Sequence, residues 1–225
     1  MPVLVRIGAE FFGTALLVAI VVGSGVMAET LTSDVGVSLL LNQLSTILGL
    51  GVLIAVLLPV SGAHFNPVVT VSALLGRGIQ PGTALAYIVG QLSGAMAGVM
   101  LAHVMFDRAA LVVSTNERLG VGTFVGEVVA TSGLIALILL LSSAGRASVI
   151  PLAVPAWIGA AYIFTSSTSF ANPAVTLGRM FTESFSGIAP LSGLGFIGAQ
   201  MVGSLLAVVL VRPLIASPKE TPHVQ

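Results

Sequence analysis

Long apolar runs broken by isolated charges dominate the chain. Stretches free of Asp, Glu, Lys and Arg cover 11–28, 35–76, 78–106, 128–145, 147–178 and 184–211. A helix needs about 20 apolar residues to cross the hydrocarbon core of a bilayer. Four of the runs supply one span each, with Glu10 and Glu127 standing near the starts of two of them. Runs 35–76 and 147–178 are too long for one span and lack the turn signals for two, so each predicts a span plus a shorter re-entrant piece. The pattern gives six spans, at roughly 4–27, 36–58, 82–105, 121–142, 149–167 and 190–212, and half-helices starting near Pro67 and Pro173. The first apolar stretch lacks a cleavage-like end and reads as a span rather than a signal peptide.

The two halves repeat. Shifting 79–101 by 109 residues onto 188–210 aligns Pro81 with Pro190, Gln91 with Gln200 and Gly94 with Gly203, among eight identities in 23 positions. Glu10 likewise corresponds to Glu127. Three spans per repeat is an odd number, so the second half inserts upside down and a pseudo-two-fold axis lies in the membrane plane. The expected organisation is one membrane domain over 1–216, with repeats 1–107 and 118–216, followed by a polar tail at 217–225.

Composition supports an all-α integral membrane protein. Of the 225 residues 56% are hydrophobic and 7% charged, against roughly 25% charged in soluble domains. Cysteine is absent, which excludes disulfides and thiolate sites, and the net charge of zero argues against a nucleic-acid partner. The 26 glycines suit close helix packing in lipid. With six spans both termini share one side, which receives Arg6, Arg77, Arg146, Arg212 and Lys219, while Arg108, Arg118 and Arg179 fall on the other. That balance predicts a multi-pass protein of the cell (inner) membrane with both termini cytoplasmic.

The candidate chemistry centres on Asn66-Pro67-Val68 and Asn172-Pro173-Ala174, which continue alike as NPVVTV and NPAVTL. Asn is a good N-cap, and Pro at the first helical position loses no needed N–H. Two such starts in inverted repeats meet near the midplane, with positive dipole ends toward the centre, where they repel cations. The two Asn amides are then placed to donate to a passing neutral solute. Glu10 and Glu127 are intramembrane carboxylates, which raises a functional role such as proton relay. Their symmetric placement favours a structural one, holding the irregular backbone of each re-entrant loop. No catalytic set or metal-ligand cluster is visible: His64, His103 and His223 are scattered, and Ser166-Ser167-Thr168-Ser169 has no partner base. No cofactor is implied.

These motifs resemble the aquaporin (major intrinsic protein) family over nearly the whole chain. The resemblance is carried by Ala9-Glu10-Phe11-Phe12-Gly13-Thr14, Ser61-Gly62-Ala63-His64-Phe65-Asn66-Pro67, Gln91 with Gly94, and Phe170-Ala171-Asn172-Pro173-Ala174. It implies six spans with two re-entrant half-helices, and a homotetramer in the lipid bilayer with one pore per protomer. It further implies that Glu10 and Glu127 support the loops, that His64 orients its loop near the cytoplasmic mouth, and that Gln91 and Gln200 bond between helices. Most members carry an arginine directly after the second motif; here that position holds Val175. Family spacing puts the other constriction positions at Thr46, Ala160 and Ser169, with Leu48 replacing Thr46 if the span carries a short gap. The implied constriction is wide, neutral and mildly polar.

The valine, Gly23-Ser24-Gly25 with Met27-Ala28-Glu29, and the segment Phe164–Phe170 are similar to a bacterial aquaporin subgroup associated with arsenic resistance. That resemblance implies passage of glycerol, water and neutral trivalent arsenicals (arsenite, methylarsenite). A general water or glycerol facilitator without an arsenic role remains the alternative within the class, and a secondary transporter the alternative outside it. Arg179, one turn beyond Val175, has two readings. It reaches back to the vestibule, or it faces outward at a helix C-terminus; the second is the ordinary expectation. His103 reads as interfacial.

Overall fold

The computed structural model describes residues 1–216, so the expected polar tail at 217–225 lies outside the described residues. Six helices are long and apolar enough to cross a membrane. In chain order the helices are α1 (Val3–Leu31), α2 (Val35–Ser61), α3 (Pro67–Leu75), α4 (Pro81–Met105), α5 (Val121–Ser143), α6 (Ile150–Phe164), α7 (Pro173–Arg179) and α8 (Pro190–Ala216). The short α3 and α7 start at the two predicted prolines. Helix α6 ends three residues before the predicted boundary, because Thr165 and Ser167 turn their hydroxyls onto the local backbone: Thr165 Oγ1 donates to the Ala161 carbonyl at 2.7 Å and Ser167 Oγ accepts from Ser169 N at 3.2 Å.

Exposed and buried stripes separate cleanly on α2. Ser38, Asn42, Thr46, Leu50 and Ile54 recur every fourth residue and are buried, whereas Leu40, Leu44, Leu48, Val52 and Val56 form the exposed opposite stripe. In α6, Ile150, Val154 and Ile158 face inward, and Leu152, Ala156 and Ala160 face outward.

The packing repeats across the two halves. Helix α1 lies on α4 as α5 lies on α8, and each half-helix contacts spans of both halves, α3 against α4 and α8, and α7 against α8 and α4. Gly94 and Gly203 occupy the equivalent close approaches. A Cβ on Gly94 would run into the Phe11 carbonyl oxygen, and one on Gly203 would stand 2.6 Å from that of Val128. Backbones that meet this closely gain dispersion contacts in lipid, where apolar burial drives little association.

Candidate functional site

Each half-helix is capped by its own asparagine and tied to the other half. Asn66 Oδ1 accepts from Val68 N at 3.0 Å, and Asn172 Oδ1 from Ala174 N at 2.9 Å and Val175 N at 3.3 Å. The amide nitrogens then cross over: Asn66 Nδ2 donates to the Ala171 carbonyl, and Asn172 Nδ2 to the Phe65 carbonyl, both at 2.8 Å. An amide NH2 carries a second hydrogen, and both asparagines border the central cavity. Pro67, Val68, Pro173 and Ala174 are buried behind this surface and build the two helix starts.

The loops leading into the asparagines are held from the rear by Glu10 and Glu127, both fully buried. Glu10 accepts from Ser61 Oγ at 2.6 Å, His64 N at 3.0 Å, Phe65 N at 2.7 Å and Gln91 Nε2 at 2.8 Å. Glu127 accepts from Phe170 N at 2.8 Å, Ala171 N at 2.9 Å and Gln200 Nε2 at 2.6 Å. Gln91 and Gln200 also donate to Thr70 and Thr176, each at 2.9 Å. Backbone N–H groups bonded this way need no helix partner, which an irregular segment at membrane depth requires. The chain alternates through left-handed conformations here: Ala63 and Phe65 have φ 48° and 49°, and their counterparts Ser169 and Ala171 have 50° and 47°. A phenylalanine rarely adopts such a φ, so the carboxylate bonds over-determine it.

Between the half-helices and the inner stripes of α2, α5 and α6 runs a cavity of about 420 Å³. It meets the half-helices at matching positions: Asn66, Val69 and Ala73 on α3 and its cap, and Asn172, Val175 and Arg179 on α7 and its cap. Thr46 and Ser169 also border it, and Leu48 is 66% exposed on the outer side of α2. The Ser169 hydroxyl is buried without a protein partner. Ala160 requires a correction, since it lies on the exposed stripe of α6 and does not reach the cavity. Ile158 and Tyr162, one turn apart on the opposite face, border it instead, and the Tyr162 hydroxyl donates to Thr46 Oγ1 at 3.4 Å. His64 borders the opposite part of the cavity, with Nδ1 3.0 Å from Thr70 Oγ1 and its ring edge-on to Tyr87.

Arg179 faces inward rather than outward. It is 2% exposed, its Nε donates to the Ser186 carbonyl, and its guanidinium stands 3.4 Å over the Phe170 ring. His103, near the end of α4, is covered by protein: it is 1% exposed, with Nδ1 2.6 Å from the Ala109 carbonyl and Nε2 2.9 Å from Thr182 Oγ1. The segment 106–120 crosses over segment 180–189 and buries it, with Val112 N and Ser114 N donating to the Phe181 and Met180 carbonyls. Arg118 fastens this layer through the Phe185 and Gly187 carbonyls at 2.8 and 2.9 Å, and burial pushes its guanidinium below the ordinary range. Tyr162, Ile158 and Arg118 went unrecognised in the sequence. The periodicity of α6, four residues from Val154 to Ile158 and four more to Tyr162, was the available signal for the first two. Among the described residues no cluster of His, Asp or Glu is arranged to hold a metal.

Comparison with known proteins agrees with this geometry. Residues 2–171 match the major intrinsic protein family. The chain is 48% identical over 211 residues to the aquaglyceroporin AqpS of Rhizobium meliloti, covering 93% of this chain and 90% of that protein. It is 32% identical over 242 residues to the glycerol uptake facilitator protein of Pseudomonas aeruginosa, covering 93% and 83%. The crystal structure of the aquaglyceroporin from Plasmodium falciparum shares the fold, with a TM-score of 0.69 at 23% identity over 95% of this chain and 99% of that one. The chain therefore belongs to the major intrinsic protein family, whose members are membrane channels rather than enzymes, and is related to the aquaglyceroporins.

Proposed function

We propose that the chain is a passive channel with a wide constriction, conducting glycerol-sized uncharged solutes and neutral trivalent arsenicals as well as water. The observation that carries this reading is Val175, a short apolar side chain on the cavity wall three residues after Asn172. Thr46, Ser169 and the Tyr162 hydroxyl add polar groups at the same wall, and Ile158 adds an apolar one. A solute with several hydroxyls exchanges its water shell for the two Asn amides and these hydroxyls, while the apolar side of the wall holds it weakly enough to leave. Glycerol and trivalent arsenic hydroxides share that chemistry, being compact, neutral and rich in donors. The names of the Rhizobium and Pseudomonas relatives support the polyol part of the reading. The cell membrane with both termini cytoplasmic, and a homotetramer with a pore in each protomer, complete the proposal.

Stopped-flow permeability of proteoliposomes to water, glycerol and arsenite tests it, comparing the wild-type protein with Val175→Arg. The added guanidinium should reduce the larger solutes more than water. Equal effects on all three solutes would count against a wide constriction. Flux driven by the solute gradient alone, without a coupling ion, separates the channel from a secondary transporter.

A further inference from the structure

We infer that Arg179 is the charged member of the constriction, carried one helical turn away from the place that Val175 occupies. This rests on the cavity being the conducting path. The half-helix turns residues 172, 175 and 179 to the cavity, a spacing that keeps three and seven residues after the cap on one helical face. The same spacing in the first half brings Asn66, Val69 and Ala73 to the cavity, so Arg179 stands where its pseudo-symmetric mate is a methyl group. An arginine left over from a surface would be solvated; this one is buried at 2% exposure and held in one pose. The Phe170 ring supports the flat guanidinium through its face, and Nε donates to the Ser186 carbonyl. No carboxylate among the described residues forms an ion pair with it.

A guanidinium has several N–H donors in a fixed fork. The Ser186 carbonyl takes the Nε hydrogen and leaves the terminal N–H donors over for a solute oxygen in the cavity. The positive charge also repels cations, including hydronium, on a lining that carries no other Arg, Lys, Asp or Glu, with Arg118 lying against the Phe170 ring outside that lining. Displacement by one turn widens the ring at Val175 without discharging the mouth. Size selection and charge selection, which one arginine at position 175 would combine, are here divided between two residues.

The test uses purified full-length protein in vesicles, with glycerol and water permeability read by light scattering and proton leak read by an internal pH dye after a pH step. Arg179→Met should raise the proton leak by about fivefold or more, the effect of removing a unit charge about 4 Å away even at the dielectric of bulk water. Adding Val175→Arg to Arg179→Met should restore proton exclusion while lowering glycerol flux below that of the wild type. A merely structural role for Arg179 predicts no such rescue, because an arginine at 175 is not placed to bond Ser186. Arg179→Met that conducts glycerol and excludes protons like the wild type would overturn the inference. If Arg179→Met yields no folded protein, Arg179→Lys decides. Lysine keeps the charge but loses the fork, so proton exclusion should persist and the glycerol-to-water ratio should shift by about twofold or more; an unchanged ratio would overturn the inference. A wild-type protein that passes neither glycerol nor water would instead refute the channel reading itself.

Discussion

Removing the Glu10 carboxylate tests whether it holds the first re-entrant loop or moves protons. In Glu10→Ala four donors lose their acceptor: Ser61 Oγ, His64 N, Phe65 N and Gln91 Nε2. Gln91 keeps its bond to Thr70, and the Ser61 hydroxyl, which keeps its accepting bond from Ala63 N, can rotate its hydrogen toward another acceptor. The two backbone N–H groups have no such alternative. Each stranded buried donor costs about 1–3 kcal/mol, so the pair costs about 2–6 kcal/mol. Glu10 is fully buried behind the loop, away from solvent, and Phe65 must keep φ 49° without the bond that fixes it. For a chain of this length that loss lowers the thermal midpoint by roughly 5–20 °C.

Trp157 reports the transition, since it is the only tryptophan and bonds the Ala130 carbonyl through Nε1 at 2.9 Å. Fluorescence of detergent-solubilised protein gives the midpoint, and solute flux per folded protein in vesicles gives the functional counterpart. Glu10→Gln should fall between wild type and Glu10→Ala, because it keeps one acceptor oxygen and turns an NH2 group toward donors. Glu10→Ala with an unchanged midpoint and unchanged flux would refute the loop-holding role. A Glu10→Gln protein that is stable but has lost a pH-dependent flux would instead assign the carboxylate to proton transfer.

The remaining predictions concern packing and the constriction. Gly94→Ala pushes a methyl group into the Phe11 carbonyl and should force α1 from α4, lowering the thermal midpoint and folded yield, whereas Gly82→Ala, with nothing near its Cβ, should leave both unchanged. Ile158→Ala should raise glycerol permeability relative to water while Ala160→Leu leaves the ratio as in wild type; the reverse pattern in stopped-flow scattering would show that α6 turns its other face to the pore.

How much of this was legible in the sequence depends on whether a feature is local. Run lengths and two Asn-Pro pairs located all six spans and both half-helix starts, because burying backbone in lipid permits few alternatives. Glu10 and Glu127 were legible as groups needing partners, because an intramembrane carboxylate must have them, while Gln91 and Gln200 were read as bonding between helices. Ala160 was misplaced because counting back from Asn172 crosses the irregular segment 165–171, whose path no periodicity records. The four-residue rhythm Val154, Ile158, Tyr162 within α6 itself carried the better information. Arg179 was read as ordinarily outward-facing, and His103 as interfacial, because each stands near the end of a helix. The segments 106–120 and 180–189 fold over both, and nothing in their sequences announces that mutual cover.

The pseudo-two-fold relation divides the molecule by task. It is obeyed wherever backbone must be held: Glu10 with Glu127, Gln91 with Gln200, Thr70 with Thr176, and the crossed Asn66 and Asn172 amides make the same bonds in both halves. It is broken at part of the cavity wall, where His64 is matched by Phe170, Ala63 by Ser169 and Ala73 by Arg179, while Val69 still matches Val175. A scaffold that satisfied its polar groups asymmetrically would need two separate solutions to the same membrane constraint, and repeating one solution removes that need. Side chains facing a water-filled path carry no such obligation, since solvent satisfies them. Specificity is therefore free to vary at the wall without disturbing the loops, and a neutral Val175 beside a supported Arg179 is the form that freedom takes in this chain.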